Sequence, residues 1–597
     1  VNTVYSLSIF KTAFDIKIPA QQNTGKIKLN IQLVIKENDK EEVLSTSSID
    51  LNVLTVNDTH KETFISKIDG SVQYYAVNPP ENLKEKPALF LSLHGAGVEA
   101  INQATSYYHK NWGYIVCPTN RRPYGYNWEN WGRIDALEVY DIAKKEFNID
   151  ENRVYLTGHS MGGHGTWQLG INYPDKFAAI GPSAGWISIW SYRIHGLSDS
   201  SDVRKMLVRS TKPSDTYAFT TNLKPDGVYI IQGSADDNVP PDQAESMVAN
   251  LSKFHKDFIY YVQPGAGHWW DVSDEPGADC VDWMPMFDFF AHHAVPSKDR
   301  VKMIDFVTAN PAVSSKNNWI EIINQTEQQK LSKINIVLQS GKREFVGTTS
   351  NIQVLAIDAS VLSNDSPVSV SLDNQLISGI KIPADGKILL QNENGQWKII
   401  DKINPEDKNP VRCGNLREAF NNNVLFVYGT HGNKEENKWA LDKAKLDAEK
   451  VWYQGNSSIE IVKDDNFNLL KYKDRSVILF GNSKTNSAWN LLLKDSPVQI
   501  NSSEIKVGDK EYNGKDFACL MIRPRADSKT ASVGVISGTG IKGMNLVNLA
   551  PYFDQYVNLP DMVIFNSGIL QSDENGIKFT GYFGNDWSLE KGEFVNN

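Results

Sequence analysis

The fold is decided by one stretch, Val154-Tyr155-Leu156-Thr157-Gly158-His159-Ser160-Met161-Gly162-Gly163. Its β-branched and aromatic start predicts a strand, and the residues after Gly163 predict a helix. A Gly-x-Ser-x-Gly sequence between a strand and a helix is a nucleophile elbow, where flanking glycines allow a tight turn that exposes the serine hydroxyl. The stretch therefore predicts that Ser160 is a nucleophile.

A serine nucleophile needs a base and an orienting carboxylate, and candidates for both follow later predicted strands. The strand 227–232 leads into Gly233-Ser234-Ala235-Asp236-Asp237, and the strand 258–262 leads into Gly265-Ala266-Gly267-His268. We assign His268 as the base and Asp236 as the carboxylate. Asp237 stays open as the alternative, because one of the two adjacent aspartates is expected to serve the turn or a helix cap.

A tetrahedral intermediate also needs two N–H groups that bind its oxyanion. The first is expected from Met161, directly after the nucleophile, and the second from the loop His94-Gly95-Ala96-Gly97 after an early buried strand. Ala96 or its neighbour Gly97 is the candidate on that loop. Three further histidines in these segments are expected to be structural: His94, His159 and His164.

These motifs resemble the α/β-hydrolase superfamily, specifically the prolyl-oligopeptidase-like serine hydrolases that include many carbohydrate and polyester esterases. The resemblance covers residues 80–295 and rests on 91–97, 152–163, 236–240 and 265–268. It implies a Ser160, His268 and Asp236 triad and no metal or organic cofactor. The implied reaction is hydrolysis of a carboxylic ester through an acyl-enzyme.

The strand and helix pattern divides the chain of 597 residues into four parts. Residues 1–68 predict an N-terminal β module, and 69–300 an α/β-hydrolase domain with a doubly wound, mostly parallel sheet. Residues 301–415 predict a second, β-sandwich-like module. Residues 416–597 predict a smaller α/β domain, with a charged helix near 436–452, to which we assign a docking, dimerising or substrate-presenting role.

The charge and the hydrophobic pattern of the chain limit the classes of partner that it can bind. The formal net charge is −10 with both signs interspersed, which argues against nucleic acid and anionic membrane as partners. Apolar runs are far shorter than the roughly 20 residues that span a bilayer. The chain starts at Val1 and shows no signal segment, so removal of an upstream segment by processing or by cloning stays open. This start permits export, and we expect an exported protein, periplasmic or extracellular.

Aromatic residues and one arginine of the predicted strand-end loops are expected to bind substrate, since ligands of open α/β sheets bind at that edge. They are Trp128, Trp131, Trp186, Trp269, Trp270 and Arg122. Flat rings suit a sugar or an aromatic acyl group, which favours an acetyl or feruloyl ester on a decorated carbohydrate. For Arg121 and Arg122, salt bridges with Asp135 or Glu138 are the alternative to an anionic substrate.

Two other functions stay open. A serine peptidase of prolyl-oligopeptidase type would use the same triad, but the 70 residues before the domain lack the repeats of a β-propeller. A catalytically silent protein could hold a glycan in the same cleft. The stretch Gly538-Thr539-Gly540-Ile541-Lys542-Gly543 matches a dinucleotide fingerprint formally, but it lies near the end of its domain and is expected to be a strand-helix junction.

Overall fold

The computed structural model describes residues 4–6, 8–37, 40–83, 85–192, 201–363, 366–553 and 558–597. The N-terminal region contains a two-stranded antiparallel sheet of β1 Gly25–Glu37 and β2 Lys40–Val53. The preceding segment runs along the C-terminal domain, where the Lys11 N–H donates to Ser458 Oγ at 2.8 Å. The N-terminal region is therefore tied to the far end of the chain.

An eight-stranded, mostly parallel sheet follows, in the spatial order β10-β9-β8-β7-β5-β6-β4-β3. Its strands are β3 His60–Ile65, β4 Val72–Asn78, β5 Ala88–Leu93, β6 Gly113–Cys117, β7 Val154–His159, β8 Ala179–Ser183, β9 Gly227–Gly233 and β10 Phe258–Gln263. The strands from β5 to β10 pair in parallel, whereas β3 and β4 are antiparallel. The boundary predicted at residue 68 is wrong for β3, which pairs with β4 and so extends this sheet.

Helices cover both faces of this sheet. The helices of this domain are α1 Ala100–Thr105, α2 Asn130–Glu146, α3 Met161–Asn172, α4 Ile189–Tyr192, α5 Asp202–Ser210, α6 Asp242–Leu251 and α7 Met284–Ala291. Residues of α1, α2, α3, α6 and α7 form the cores on the two faces of the sheet, whereas α5 packs on the C-terminal domain. Leu89 and Leu91 of β5 pack in the core under α2, α3 and α6, whereas Phe90 packs in the core under α1 and α7. This two-sided burial produces the continuous apolar strands of the sequence, and the predicted α/β-hydrolase fold is confirmed.

Two five-stranded sheets form the next part of the chain. The first has the order β11-β14-β15-β17-β18 and the second β12-β13-β16-β19-β20. Their strands are β11 Met303–Thr308, β12 Lys316–Asn317, β13 Ile320–Asn324, β14 Ser332–Gln339, β15 Glu344–Ser350, β16 Val354–Asp358, β17 Val368–Leu372, β18 Gln375–Ile380, β19 Lys387–Glu393 and β20 Gln396–Ile400. Inward residues of both sheets share one core around Trp319 and Phe345, as in a β-sandwich.

The C-terminal domain has an eight-stranded sheet of order β22-β21-β23-β28-β27-β29-β30-β31 and a small sheet of order β24-β25-β26. The strands are β21 Leu425–Tyr428, β22 Glu460–Lys463, β23 Val477–Phe480, β24 Val498–Ile500, β25 Glu504–Val507, β26 Lys510–Asn513, β27 Phe517–Pro524, β28 Ser532–Gly538, β29 Met562–Asn566, β30 Ile577–Tyr582 and β31 Glu593–Asn596. The helices are α8 Lys434–Gly455, α9 Ala488–Leu492, α10 Gly540–Leu546 and α11 Asp573–Gly576. The formal dinucleotide fingerprint joins β28 to α10.

A buried ion pair fastens the hydrolase domain to α8. Arg121 Nη2 lies 2.6 Å from Asp69 Oδ2, both side chains are fully buried, and Arg121 Nε donates to the Gly455 carbonyl at 2.8 Å. The predicted salt bridge of Arg121 with Asp135 or Glu138 is wrong, because Arg121 pairs with Asp69. Asp135 instead accepts a hydrogen bond from Thr119, and Glu138 accepts one from Ser66. Loss of either member of a buried ion pair would leave an uncompensated charge in the interior. Arg121 therefore stabilises the fold rather than binding substrate.

Glu418 provides a pH-dependent contribution to stability. Burial raises its pKa from 4.5 to about 7, although its carboxylate accepts the N–H groups of Cys413 and Gly414. The folded chain then keeps a proton that the unfolded chain has lost, and the free energy of unfolding falls as the pH rises from about 4.5 to 7.

A Glu418→Gln variant cannot ionise at this position. We expect the thermal midpoint of the variant minus that of the wild type to be several degrees larger at pH 8 than at pH 5. Differential scanning calorimetry at both values checks this, with the exposed Glu449→Gln in the same domain as control. An equal difference at both pH values would show that Glu418 is ionised throughout.

Candidate active site

The turn between β7 and α3 holds Ser160 in a strained conformation. Ser160 has φ 61° and ψ −119°, in a region that residues with a side chain rarely adopt. The glycines are required by space: a Cβ on Gly162 would lie 1.8 Å from the Leu93 carbonyl oxygen, and one on Gly158 would lie 2.5 Å from the Gly162 oxygen. This is the geometry of a nucleophile elbow.

The structure brings the three predicted catalytic side chains together. His268 Nε2 lies 2.8 Å from Ser160 Oγ, and His268 Nδ1 lies 2.8 Å from Asp236 Oδ2. Asp236 follows β9 and His268 follows β10, so the carboxyl ends of neighbouring parallel strands carry the acid and the base. The arrangement can remove a proton from Ser160 as its oxygen attacks a carbonyl carbon.

Hydrogen bonds besides the one with His268 hold the Asp236 carboxylate in place. Its Oδ1 accepts the N–H groups of Asn238 and Val239 at 3.0 and 2.9 Å, and its Oδ2 also accepts from Gln232 Nε2 at 3.0 Å. Burial alone would raise the pKa of Asp236, but the hydrogen bonds from His268 and Val239 outweigh burial and lower it. Asp237 is exposed. Of the two aspartates left open by the sequence, Asp236 contacts His268.

His159 packs behind the base. Its ring centroid lies 4.8 Å from that of His268, and its Nδ1 lies 3.0 Å from Ser183 Oγ. Burial and the neighbouring His268 lower the pKa of His159 to about 3, so at neutral pH it carries no charge that would oppose a protonated His268. His159 thus supports the base by packing against it, in keeping with the structural role expected for it.

The other two histidines are also held by nearby groups. His94 lies between the carbonyls of Gly95 and Thr119, and His164 lies between the Trp186 carbonyl and the Glu129 carboxylate. Neither ring contacts Ser160 Oγ.

The predicted oxyanion donors flank the nucleophile. Met161 is the first residue of α3, where backbone N–H groups lack partners within the helix. Across from it, the loop 94–97 abuts the elbow, since a Cβ on Gly95 would lie 3.5 Å from Ser160 Cβ. The Gly97 N–H already donates to the Pro123 carbonyl at 3.0 Å. Between the two candidates, Ala96 is therefore the better choice.

Most of the predicted substrate-binding aromatics are buried instead. Trp128 is fully buried and its Nε1 donates to the His94 carbonyl, while Trp131 donates to Asn421 of the C-terminal domain. The prediction that these two rings bind substrate is wrong, because both are buried, Trp128 in the core of the hydrolase domain and Trp131 in that of the C-terminal domain. Trp186 and Trp270 are also buried, the first stacked between His164 and Tyr192 and the second packed on Trp283.

Two aromatic rings do face solvent near the site. Trp269, next to the base, is 52% exposed and meets His159 edge-on, and Tyr124 is 69% exposed with its hydroxyl beside Gly97. Arg122 is directed elsewhere, because its guanidinium lies over the Trp452 ring at 5.2 Å and donates to the Trp452 carbonyl. Arg122 thus contributes to the contact with α8, and its role in binding substrate stays a prediction.

Gln232 and Ser183 were not identified from the sequence. Gln232 holds the catalytic carboxylate, and Ser183 both contacts His159 and donates to the Cys280 carbonyl. Gln232 belongs to an otherwise apolar strand, and a buried amide at the end of such a strand is the signal that could have indicated it.

A cluster that could bind a metal ion lies away from this site, in the C-terminal domain. Ligand atoms of His431, Asp464 and Asp465 lie within 4.8 Å of one another. Thr430 and Ser487 already donate to Asp464, and Lys463 pairs with Asp465 at 2.7 Å. Internal partners therefore satisfy these carboxylates.

Comparison with known proteins agrees with the topology and the elbow. Residues 105–295 match the family model of the prolyl oligopeptidase family. The predicted resemblance is confirmed for this region. Among the described helices, none combines the length and the hydrophobicity that a bilayer span requires.

Three curated relatives overlap the same part of the chain. An uncharacterized secreted protein of Arthroderma benhamiae is 28% identical over 34% of this chain and 24% of its own length. The bifunctional acetylxylan esterase/xylanase XynS20E of Neocallimastix patriciarum is 32% identical over 22% of this chain and 20% of its own, and feruloyl esterase B of Talaromyces stipitatus is 32% identical over 18% and 35%. The chain thus spans a fifth to about a third of these relatives.

Proposed function

We propose that this chain is a serine esterase that cleaves carboxylic esters of acetyl or feruloyl type on a decorated carbohydrate. The observation that carries the proposal is the continuous contact from Asp236 through His268 to Ser160 at a strained elbow. The similarity to an acetylxylan esterase and a feruloyl esterase supports the ester class. The exposed Trp269 ring beside the base suits a sugar face or an aromatic acyl group.

The proposed reaction has two halves. Ser160 Oγ attacks the ester carbonyl while His268 Nε2 takes its proton, and the N–H groups of Met161 and Ala96 bind the oxyanion. The protonated His268 then gives that proton to the departing alcohol, which leaves an acyl group on Ser160. In the second half, His268 takes a proton from water as the water attacks the acyl group, and the acid is released from Ser160. Throughout, Asp236 accepts the His268 Nδ1–H, which keeps Nε2 free to act as the base.

A peptidase is the second candidate, because the matching family model is that of the prolyl oligopeptidases. Those enzymes filter peptides with a propeller, whose blades are four-stranded sheets arranged around a channel. In the part of the chain that the structure describes, the sheets beside the hydrolase domain are instead a hairpin, a sandwich, an α/β sheet and a small three-stranded sheet. This architecture favours the esterase.

A substrate panel separates these functions. Methyl ferulate, 4-nitrophenyl acetate and acetylated xylan would be compared with prolyl 4-nitroanilides, each rate divided by its uncatalysed rate. We expect the esters to give the larger ratios. Anilide turnover that exceeds ester turnover on this scale would favour the peptidase, and turnover of neither class would favour a silent glycan-binding protein.

Export is the remaining part of the proposal, and the secreted relative of Arthroderma benhamiae supports it. The role of the C-terminal domain in docking, dimerising or presenting substrate also stays a proposal.

A further inference from the structure

A cavity of about 550 Å³ lies between α5 of the hydrolase domain and the sheet of the C-terminal domain. We call it the interdomain cavity. One wall is the face of β27, β29 and β30 formed by Leu520, Val563, Phe565 and Ile577. The opposite wall is the α5 face of Arg204, Leu207 and Val208, extended by Thr211, at the spacing of one helical stripe. Its size is that of a small-molecule site.

The walls are mostly apolar, but two of the lining residues, Arg204 and Asn558, each carry a buried polar atom without a hydrogen-bond partner in the described part of the chain. Among the residues that the structure describes, Arg204 Nε is buried and has no hydrogen-bond acceptor, and Asn558 Oδ1 is buried and has no donor. On the same helix, Lys205 pairs with Asp202 and Arg209 pairs with Glu593, whereas Arg204 forms no ion pair with a described carboxylate. A buried guanidinium nitrogen without a partner is costly, so the site favours an anion.

We propose that the interdomain cavity binds a small carboxylic acid with an apolar, hydroxyl-bearing body. A carboxylate matches the planar fork of Arg204, the apolar walls would bury the body, and Asn558 Oδ1 would accept the hydroxyl proton. Hydroxylated aromatic acids combine all three features. None of the residues that form the cavity belongs to the triad or the oxyanion loop, so this site is separate from Ser160 and does not depend on the proposed reaction.

Calorimetric titration of the full chain tests the proposal with 4-hydroxycinnamate and its neutral amide as probes. We expect one equivalent of the acid to bind about tenfold or more tightly than the amide, because a charge-assisted pair forms only with the acid. In Arg204→Gln the affinity for the acid should fall to that for the amide. Lys205→Gln removes the same charge one residue away, from an exposed side chain, and should leave the affinity unchanged.

A cavity-filling variant provides the second test. Ala550 lines the cavity, and Ala550→Phe should weaken the acid and the amide alike while leaving ester turnover intact. The proposal is overturned if the wild type binds neither probe, or if the acid binds wild type and Arg204→Gln equally. It is also overturned if phosphonylation of Ser160 abolishes the binding, since the acid would then occupy the catalytic cleft.

Discussion

Ser160→Ala is expected to lower kcat for ester hydrolysis by about 10⁵-fold or more, to a residual rate supplied by the oxyanion donors and substrate binding. The loss follows from the geometry, because His268 Nε2 contacts Ser160 Oγ at 2.8 Å and would have no hydroxyl left to activate. KM should change little, since alanine removes one oxygen that matters mainly in the transition state. Steady-state kinetics on methyl ferulate measures both constants.

The matched control is Ser252→Ala, which makes the same chemical change at an exposed position of the same domain. We expect it to keep wild-type activity. A Ser160→Ala variant that retains more than about a hundredth of wild-type kcat would be incompatible with an acyl-enzyme at this residue.

Asp236→Asn has the second largest expected effect, a loss of about 10⁴-fold in kcat. An amide can donate to His268 Nδ1, which stabilises the tautomer whose Nε2 carries the proton and cannot act as the base. Asparagine also places an N–H₂ group among donors, because Asn238, Val239 and Gln232 all donate to the native carboxylate. Some loss of thermal stability should accompany the loss of rate.

The adjacent Asp237→Asn is the control for this prediction, because Asp237 is exposed. Its kcat/KM should stay within a few-fold of the wild type. Reversed effects of the two variants would mean that Asp237 is the orienting residue, and the chemistry would then need a rearranged loop.

The catalytic triad could be predicted because its signals are local. Each member lies in the turn or loop that follows a strand, and the carboxyl ends of parallel strands meet at one edge of the sheet. The choice between Asp236 and Asp237 could not be made in this way, because both lie on one turn and only the fold decides which carboxylate meets His268.

Several of the aromatic residues and the two arginines of the strand-end loops have partners that the sequence does not show. Trp131, Arg121 and Arg122 all contact groups more than 50 residues away in sequence or in another domain: Asn421, Asp69 and Trp452. Sequence placed these side chains on a strand-end loop, but the C-terminal domain covers part of that loop. Likewise, the residues of β3 alternate between apolar and polar, as those of the preceding strands do, and only the pairing of β3 with β4 assigns it to the sheet of the hydrolase domain.

The most direct test of an activated Ser160 is intact-mass analysis after treatment with a fluorophosphonate, followed by peptide mapping. We expect the wild-type protein to gain one phosphonyl group per chain on the peptide that contains Ser160, and the Ser160→Ala and His268→Ala variants to gain none on the same time scale. An unlabelled wild-type chain, or a label on another residue, would contradict the proposal that Ser160 is the nucleophile of an esterase.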